Sequence, residues 1–373
     1  MHYTCVLAFF DSMIASIVVN YFGSCLTKSA TDSLLRDRPG IEVIVIDNSA
    51  DTKESMKLRQ MLDPRIKLII NSSNTGFGAA CNLGFVNTQA EFVMLLNPDA
   101  QVLPGCLERL LEALEHNPEL GAVSPTQFWE PSLRWKLPPA WLPTGVEMWC
   151  MEQAWHHRKA AQKMSAAYRN MALQAWKTTG TEVLPQRALS GGAVLLRRSA
   201  VVEAGGLFDP AFFMYYEDSD LCWRMRRAGW KLGLVSSAHV LHEWVHSPTK
   251  VDFMEKSKQI YLKKHFTGRG TWQQRLERCA SKTPLAEPLD IQLRDYATTT
   301  LTLEIPPPWQ ASWLLEISPS PLLIPALGCL GRGITAQVPL HLMERLGLGC
   351  LYARIGPGAA TEYTNQLPVF KLA

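Results

Sequence analysis

Residues 41–99 read IEVIVIDNSADTKESMKLRQMLDPRIKLIINSSNTGFGAACNLGFVNTQAEFVMLLNPD. Three apolar, β-branched or leucine-rich runs stand out: Ile41–Ile46, Ile66–Ile70 and Glu91–Leu96. Between them lie two helical segments. One is Asp51–Leu62; the other opens with Asn74–Asn82 and continues to about Thr88. Runs of this kind, without polar alternation, are the pattern of parallel strands buried on both faces. The intervening helices supply the right-handed crossovers that parallel strands need. Upstream, Ala15–Asn20 is another such strand and Ser24–Leu35 another helix. Downstream, Pro104–His116 carries Leu107, Leu110, Leu111 and Leu114 on one helical face. The order predicts an α/β fold with a mostly parallel sheet flanked by helices.

In such sheets ligands bind at the carboxyl ends of the strands. Four polar turns fall there: Asn20-Tyr21, Asp47-Asn48, Asn74 with its glycines, and Asn97 with Asp99. One turn of this kind is ordinary punctuation; four on one sheet edge point to a site. Neither G-x-G-x-x-G after the first strand nor G-x-x-x-x-G-K-[ST] is present, so a nucleotide here is not held in the dehydrogenase or P-loop manner.

A second cluster lies at residues 212–230, FFMYYEDSDLCWRMRRAGW. Glu217, Asp218 and Asp220 open a helical pattern whose stripe is Leu221, Cys222, Met225 and Ala228, and Gly229 ends it. Lys231–Val235 reads as a strand, and His239, His242 and His246 follow. Acids in a first helical turn suit the helix dipole, so one reading is a stabilised helix start with solvated arginines. The aromatic run before the acids and the histidines after them favour a pocket with convergent titratable groups.

Composition sets the bounds. Of 373 residues, 47% are hydrophobic and 19% charged, with a formal net charge of +3. That is an ordinary folded chain, with too little charge to argue for nucleic acid. Nine cysteines without C-x-x-C spacing speak against a zinc ribbon or disulfide framework and fit a reducing compartment. Met1–Leu26 is apolar but lacks a basic flank and is interrupted by Asp11 and Asn20; Ser312–Gly331 contains Glu316 and three prolines. Neither reads as a signal or membrane span. Met1–Ile14 reads as an extension ahead of the first strand or as a start-site error.

Taken in order, the pieces V-V-N-Y (18–21), V-I-D-N-S (45–49), N-T-G-F-G-A-A-C-N (74–82), L-L-N-P-D-A (95–100), S-G-G-A-V-L-L-R-R (190–198), residues 205–230, V-L-H (240–242) and Y-L-K-K-H-F-T-G (261–268) carry a resemblance. The chain resembles an inverting nucleotide-sugar glycosyltransferase of the GT-A fold. The family is the large one that includes rhamnosyltransferases and bacterial polysaccharide-assembly enzymes. The likeness covers roughly Ala15–Gly270. It implies that Asn20, Tyr21 and Asp47 line the base pocket, and that Asn74, Gly76 and Phe77 lie beside base and ribose. Asn97, Gly191 and Gly192 join the substrate-binding set. Asp99 takes the place of the family's D-x-D metal site, and His242 matches a histidine that reaches the metal or diphosphate. Asp218 matches the catalytic base, with Glu217 and Asp220 as support.

The same resemblance implies a divalent cation (Mg or Mn), a nucleotide-sugar donor and a saccharide or lipid-linked saccharide acceptor, without nucleic acid. It implies a cytoplasmic protein, peripheral at the inner face of a membrane. One carboxylate and one imidazole suffice for such a cation, because phosphates and waters complete its shell. Ala79 and Ala80 stand where the family commonly has glycine, and no Q-x-x-R-W follows the acidic cluster, so processive synthesis is not implied. Two other functions fit an α/β nucleotide fold. A sugar-phosphate nucleotidyltransferase would carry a Gly-rich basic loop near Val18–Thr27, which offers none. A non-catalytic carbohydrate-binding protein would keep the fold without turnover.

Two regions stand apart. Residues 129–187 begin Pro- and Trp-rich and turn helical from about Val146 to Trp176. They read as a helical insertion that either packs its tryptophans inward or forms an aromatic, basic membrane-surface or acceptor-side element. The expected division is a catalytic domain at 1–285 and a small β-rich domain at 286–373. The latter has strands near Thr299–Ile305, Trp313–Ile317, Cys350–Ile355 and Pro368–Leu372 and a helix at Pro339–Leu346.

Overall fold

The computed structural model describes residues 13–180, 182–244, 250–267, 272–294, 300–339, 351–360 and 367–372. The first half alternates as expected: β1 (Ile14–Asn20), α1 (Ser24–Asp37), β2 (Glu42–Asp47), α2 (Thr52–Met61), β3 (Lys67–Ile70), α3 (Phe77–Val86), β4 (Phe92–Leu96), β5 (Ala100–Val102) and α4 (Cys106–His116). There follow β6 (Leu120–Phe128), β7 (Trp135–Lys136), α5 (Gly145–His156), α6 (Arg158–Lys177), β8 (Val183–Gln186), β9 (Ala193–Arg197), α7 (Arg198–Glu203), α8 (Glu217–Arg227) and β10 (Lys231–His242). The chain continues with α9 (Lys250–His265), α10 (Trp272–Ala280), β11 (Ile291–Arg294), β12 (Thr300–Glu304), β13 (Trp313–Ser318), β14 (Leu327–Gly331), β15 (Thr335–Pro339), β16 (Leu351–Pro357) and β17 (Val369–Leu372).

Strands β3, β2, β1 and β4 pair in parallel in that order. Strand β9 then lies antiparallel between β4 and β6, and β10 runs parallel to β6. Period-two alternation sends β1 into two cores. Val18 packs with Leu34, Val45, Leu107 and Leu110 on the α1/α4 face, while Ile17 and Val19 pack with Ala80, Leu221 and Met225 on the α3/α8 face.

Three things depart from the sequence reading. Leu120–Phe128 had no assigned element, yet β6 is a nearly fully buried central strand. The strand expected at Lys231–Val235 runs on to His242, with a register shift between Val235 and His239. The expected helix at 146–176 is two helices parted at His157.

The C-terminal region is β-rich as expected; β12 and β15 pair as a separate two-stranded antiparallel sheet, but β11, β13, β14, β16 and β17 join the main sheet. Strand β14 pairs with β7 (Gly328 opposite Lys136, Cys329 opposite Trp135), and β7 pairs with β6. The sheet thus runs unbroken across the boundary expected at 285/286, in the order β11-β17-β16-β13-β14-β7-β6-β9-β4-β1-β2-β3. The cause is apolar cover: Trp129 and Trp135 are buried among Trp313, Leu315, Cys329 and Ile355. The tryptophans of 129–187 pack inward too; Trp176 is 3% exposed and Trp149 and Trp155 are half-buried. In the helix expected at Pro339–Leu346, Pro339 closes β15 and the rest lies outside the described residues, as does His246.

Candidate active site

The carboxyl ends of β1, β2, β4, β6 and β10 and the start of α8 converge. At β1 and β2, Asn20 and Asp47 have no solvent exposure. Asn20 donates to Asp47 Oδ1 (3.2 Å) and to Glu54 Oε1 (3.3 Å) and accepts from Thr27 Oγ1 (2.9 Å). Asp47 accepts from Ser55 Oγ (2.5 Å) and the Ser49 N–H (3.1 Å). Burial pushes its carboxyl up, but these hydrogen bonds outweigh it and leave the group below the ordinary aspartate value. The two residues therefore form the floor under the edge. Above it Tyr21 is exposed, edge-on to Phe22.

Asn48 organises the next turn. It donates to Asn74 Oδ1 (2.9 Å) and the Gly76 carbonyl (3.3 Å), and accepts from Asn71 Nδ2 (2.9 Å) and the Thr75 N–H (3.2 Å). The glycine motif that follows is a docking face for the acidic turn. Gly76 has φ +83°, and a Cβ there would lie 2.2 Å from the Phe213 carbonyl oxygen; only glycine fits. The Phe77 N–H donates to that carbonyl (2.9 Å). Asn82 exchanges two hydrogen bonds with the Phe208 backbone (2.8 and 2.9 Å).

So held, the chain makes two successive left-handed residues, Tyr215 (φ 69°) and Tyr216 (φ 66°), immediately before α8. Each costs on the order of 1–3 kcal/mol and persists only where neighbours enforce it. Here Ser257 Oγ on α9 donates to the Met214 carbonyl (2.7 Å), and the Tyr216 ring lies 5.3 Å from Tyr261. The strained turn aims the first residues of α8 into the cleft.

The three acids meet three different environments. Asp218 is half-buried; Oδ2 accepts from the Gly191 N–H (3.2 Å) and Oδ1 from the Ser219 N–H (2.7 Å). Burial raises its pKa, and those donors hold part of the rise back. Glu217 is 5% exposed and its Oε2 has no hydrogen-bond partner among the described residues. Burial, with the neighbouring Asp218 charge, pushes it up to about 8. Asp220 is turned away from the cleft, against the expectation that it shares the catalytic cluster. It is fully buried and takes Arg224 Nε (2.7 Å), His265 Nε2 (2.8 Å) and Lys264 Nζ (2.8 Å). Burial would raise it, but the three basic partners bring it down to about 2. It fastens α8 to α9.

Across the cleft, the β10–β5 register sets His242 opposite Ala100, beside Asp99. His242 Nδ1 donates to Gln127 Oε1 (2.7 Å) on β6, so in the neutral ring Nε2 presents a lone pair. Asp99 Oδ1 lies 3.3 Å from that nitrogen and Asn97 Nδ2 3.4 Å from it. Two acceptors facing each other are reconciled by a shared proton or by a cation. Among the described residues no group of three or more His, Cys, Asp or Glu side chains converges for a metal. A carboxylate and an imidazole are nonetheless a donor set of the kind a hard cation shares with phosphate and water.

Gly191 and Gly192 join the two sides. The Gly191 N–H holds Asp218, and the Gly192 carbonyl accepts from the Asn97 N–H (2.8 Å). A Cβ on Gly192 would lie 2.7 Å from His242 Cε1. The structure thus brings Asp218, Asn97, Asp99, His242, Gly191 and Gly192 together, with Asn74, Gly76 and Phe77 on the adjoining turn. Sequence reasoning missed Gln127, Asn48 and Asn82. Asn48 was legible as part of a strand-end polar pair. Gln127 gave no signal, because its strand was not assigned.

An α/β sheet with a strand-end cleft, an Asp–His pair on one side and a half-buried carboxylate on the other suits a group-transfer enzyme. The sequence profile described as Glycosyl transferase family 2 matches residues 16–173. The N-acetylglucosaminyl-diphospho-decaprenol L-rhamnosyltransferase of Mycobacterium tuberculosis is 31% identical over 234 residues, 58% of this chain and 71% of that protein. The low-salt glycan biosynthesis hexosyltransferase Agl10 of Haloferax volcanii is 24% identical over 257 residues, 67% of this chain and 72% of that one. A solved structure, GalNAc-T7 with UDP, GalNAc and Mn2+, has a TM-score of 0.45 and 16% identity over 62% of this chain and 43% of that chain. The chain belongs to glycosyltransferase family 2, which includes the rhamnosyltransferases, and it is a glycosyltransferase.

Proposed function

We propose that the protein is an inverting transferase. It moves a sugar from a nucleoside-diphosphate donor to a hydroxyl of a saccharide or lipid-linked saccharide acceptor. The observation that carries this reading is the Gly191–Gly192 pair, whose backbone ties Asp218 on one side to Asn97, and through it to the Asp99–His242 pair, on the other. Base and diphosphate site are thereby held in fixed relation, as an in-line displacement requires.

Asp218 is the general base. The acceptor hydroxyl attacks the anomeric carbon from the face opposite the departing diphosphate, and Asp218 takes its proton as the bond forms. A carboxylate raised by burial, yet kept ionisable by two N–H donors, is suited to that task. Asp99 and His242 hold a divalent cation, magnesium or manganese, with Gln127 fixing the imidazole. When bound, the cation supplies charge neutralisation to the leaving diphosphate. Tyr21 offers an exposed ring to the donor's base, while Asn20 and Asp47 shape the floor and Asn74, Gly76 and Phe77 the adjoining wall. Glu217 lies behind Asp218 as support.

The name of the mycobacterial relative supports a rhamnosyl- or hexosyl-type donor and a diphospho-polyprenol-linked acceptor. Among the described residues no helix is long and apolar enough to cross a membrane. In this reading a lipid-linked acceptor is met at the inner face of the membrane. Calorimetric titration with nucleoside diphosphates, with and without Mn2+, tests the site. Binding should need the cation and weaken in Asp99→Ala. Normal turnover by chelator-treated Asp99→Ala would refute the cation assignment. Absence of binding by any nucleoside diphosphate would favour a non-catalytic carbohydrate-binding protein.

A further inference from the structure

The outer face of the first turn of α9 is apolar and uncovered. Val251 is 59% exposed, Phe253 37% and Met254 45%. Phe253 stacks on Phe213, itself 36% exposed, with ring centroids 5.3 Å apart and planes at 22°. Phe213 and Phe253 thus form a stacked apolar pair at the surface, with Val251 and Met254 exposed on the same turn of α9, rather than the scattered singles that any surface carries. Its position is specific. Phe213 belongs to the strained turn that presents Asp218, its carbonyl accepts from Phe77, and Ser257 on α9 is bonded to the next residue of that turn. The patch is therefore the lip of the cleft.

We propose that this lip docks on an anionic lipid bilayer and so presents the cleft to a lipid-linked acceptor. The proposal rests on the acceptor being lipid-linked. Charge favours this occupant. Along its described side chains helix α9 carries Lys256, Lys258, Lys263 and Lys264 against Asp252 and Glu255, and Lys264 is already taken by Asp209 and Asp220. Glu255 is already engaged by Lys258 (3.3 Å) and Gln259 (2.8 Å), whereas Lys256 and Lys263 are exposed and pair with no carboxylate among the described residues. Apolar side chains at one end of a helix with cations along it match the boundary between acyl chains and anionic head groups. Of the two readings of residues 129–187, inward packing is the one the tryptophans follow: Trp129, Trp135 and Trp176 are buried and Trp141, Trp149 and Trp155 half-buried.

The test is co-sedimentation of the full chain with vesicles of phosphatidylcholine containing or lacking phosphatidylglycerol, for the natural protein and for the double variant Phe253→Ser, Met254→Ser. The natural protein should bind vesicles containing phosphatidylglycerol more tightly, and the double variant should bind them roughly tenfold or more weakly, since two apolar side chains are lost from the contact. Val202→Ser, exposed elsewhere on α7, should bind as the natural protein does. Nucleoside diphosphate binding and donor hydrolysis, measured on the same samples, should be unchanged in all three. Equal vesicle binding by natural and double-variant protein, or none by either, overturns the docking surface while leaving the transferase reading intact. Failure to bind nucleoside diphosphate overturns that reading instead. A concentration-dependent dimer that dissociates only in the double variant would show that a second copy covers the patch, and would also overturn the proposal.

Discussion

The molecule buries carboxylates in two contrasting ways. Between α6 and the C-terminal strands, Glu316 is fully buried and receives Arg354 in bidentate fashion (2.7 and 2.8 Å) and Arg169 Nε (3.1 Å). Arg354 also reaches Ser165 Oγ (2.7 Å), and Arg169 the Pro357 carbonyl (2.6 Å). At the start of α8, Glu217 is buried and Asp218 half-buried; Asp218 accepts from the Gly191 and Ser219 N–H groups, and neither carboxylate pairs with a cationic side chain among the described residues. Charges surrounded by opposite charge fasten elements together; those left with a raised proton affinity are available for proton transfer. Asp220, two residues past Asp218, belongs with Glu316 by this criterion. Proximity in sequence therefore did not decide role; the partners did.

The largest expected effect is at Asp218. Asparagine keeps the shape and the Gly191 contact but removes the proton acceptor. Turnover should fall by ~10²–10⁴-fold, with donor affinity and melting temperature little changed. A well-folded Asp218→Asn protein with near-normal turnover would place the base elsewhere.

Glu316→Gln should show the opposite split. It leaves Arg169 and Arg354 buried without a compensating charge, and breaking such a pair costs about 3–5 kcal/mol. Chemical denaturation should reveal that loss, while kcat of the folded fraction stays near normal. A stability change below about 1 kcal/mol would mean that the cluster is not what joins α6 to β13 and β16. The same cluster, with the β7–β14 pairing, argues against an independently stable fragment ending at 285, since Trp129, Trp135 and Trp176 would lose their cover.

Asp220→Asn should fall between these. Its folded pKa of about 2 lies below the ordinary value of 3.8. Its contribution is thus present above pH 4 and lost as pH falls towards 2. At about 1.4 kcal/mol per unit, the variant should be roughly 2 kcal/mol less stable at pH 7 and nearly equal to the natural protein at pH 2. Equal stability at both pH values would detach Asp220 from the α8–α9 junction.

Most of the N-terminal half was legible because its signals are local. Apolar runs in β1, β2 and β4 and polar strand ends need no distant partner to be read. Gly76 was legible as a turn, but its reason was not: the contact is with Phe213, far along the chain. Leu120–Phe128 hid its strand behind Gly121, Ser124 and Pro125, and with it Gln127. The continuity of the C-terminal strands rests on a two-residue strand, Trp135–Lys136, too short to carry any period. The roles of Glu217, Asp218 and Asp220 were inseparable in sequence because Arg224, Lys264 and His265 select among them only through packing.

The smallest effect, and the sharpest on the comparison, is expected at Glu217. Its folded pKa of about 8 lies above the ordinary value of 4.5, chiefly through burial and then through the Asp218 charge. Cys81 and Tyr215 also face it, and their own proton affinities are raised chiefly by burial and then by its charge. The folded state therefore holds a proton that the unfolded state has released between about pH 4.5 and 8, so this group makes stability fall as pH rises through that window. Glutamine imitates the neutral acid. Glu217→Gln should match the natural protein near pH 5, be more stable at pH 8 to 9, and keep turnover within a few-fold at pH 7. The difference in melting temperature between the two proteins should grow steadily with pH, which cancels every other titrating group common to both. A difference independent of pH would show that Glu217 is ionised and paired like Glu316. A loss of turnover as deep as that expected for Asp218→Asn, without loss of stability, would move the general base one residue back along the helix.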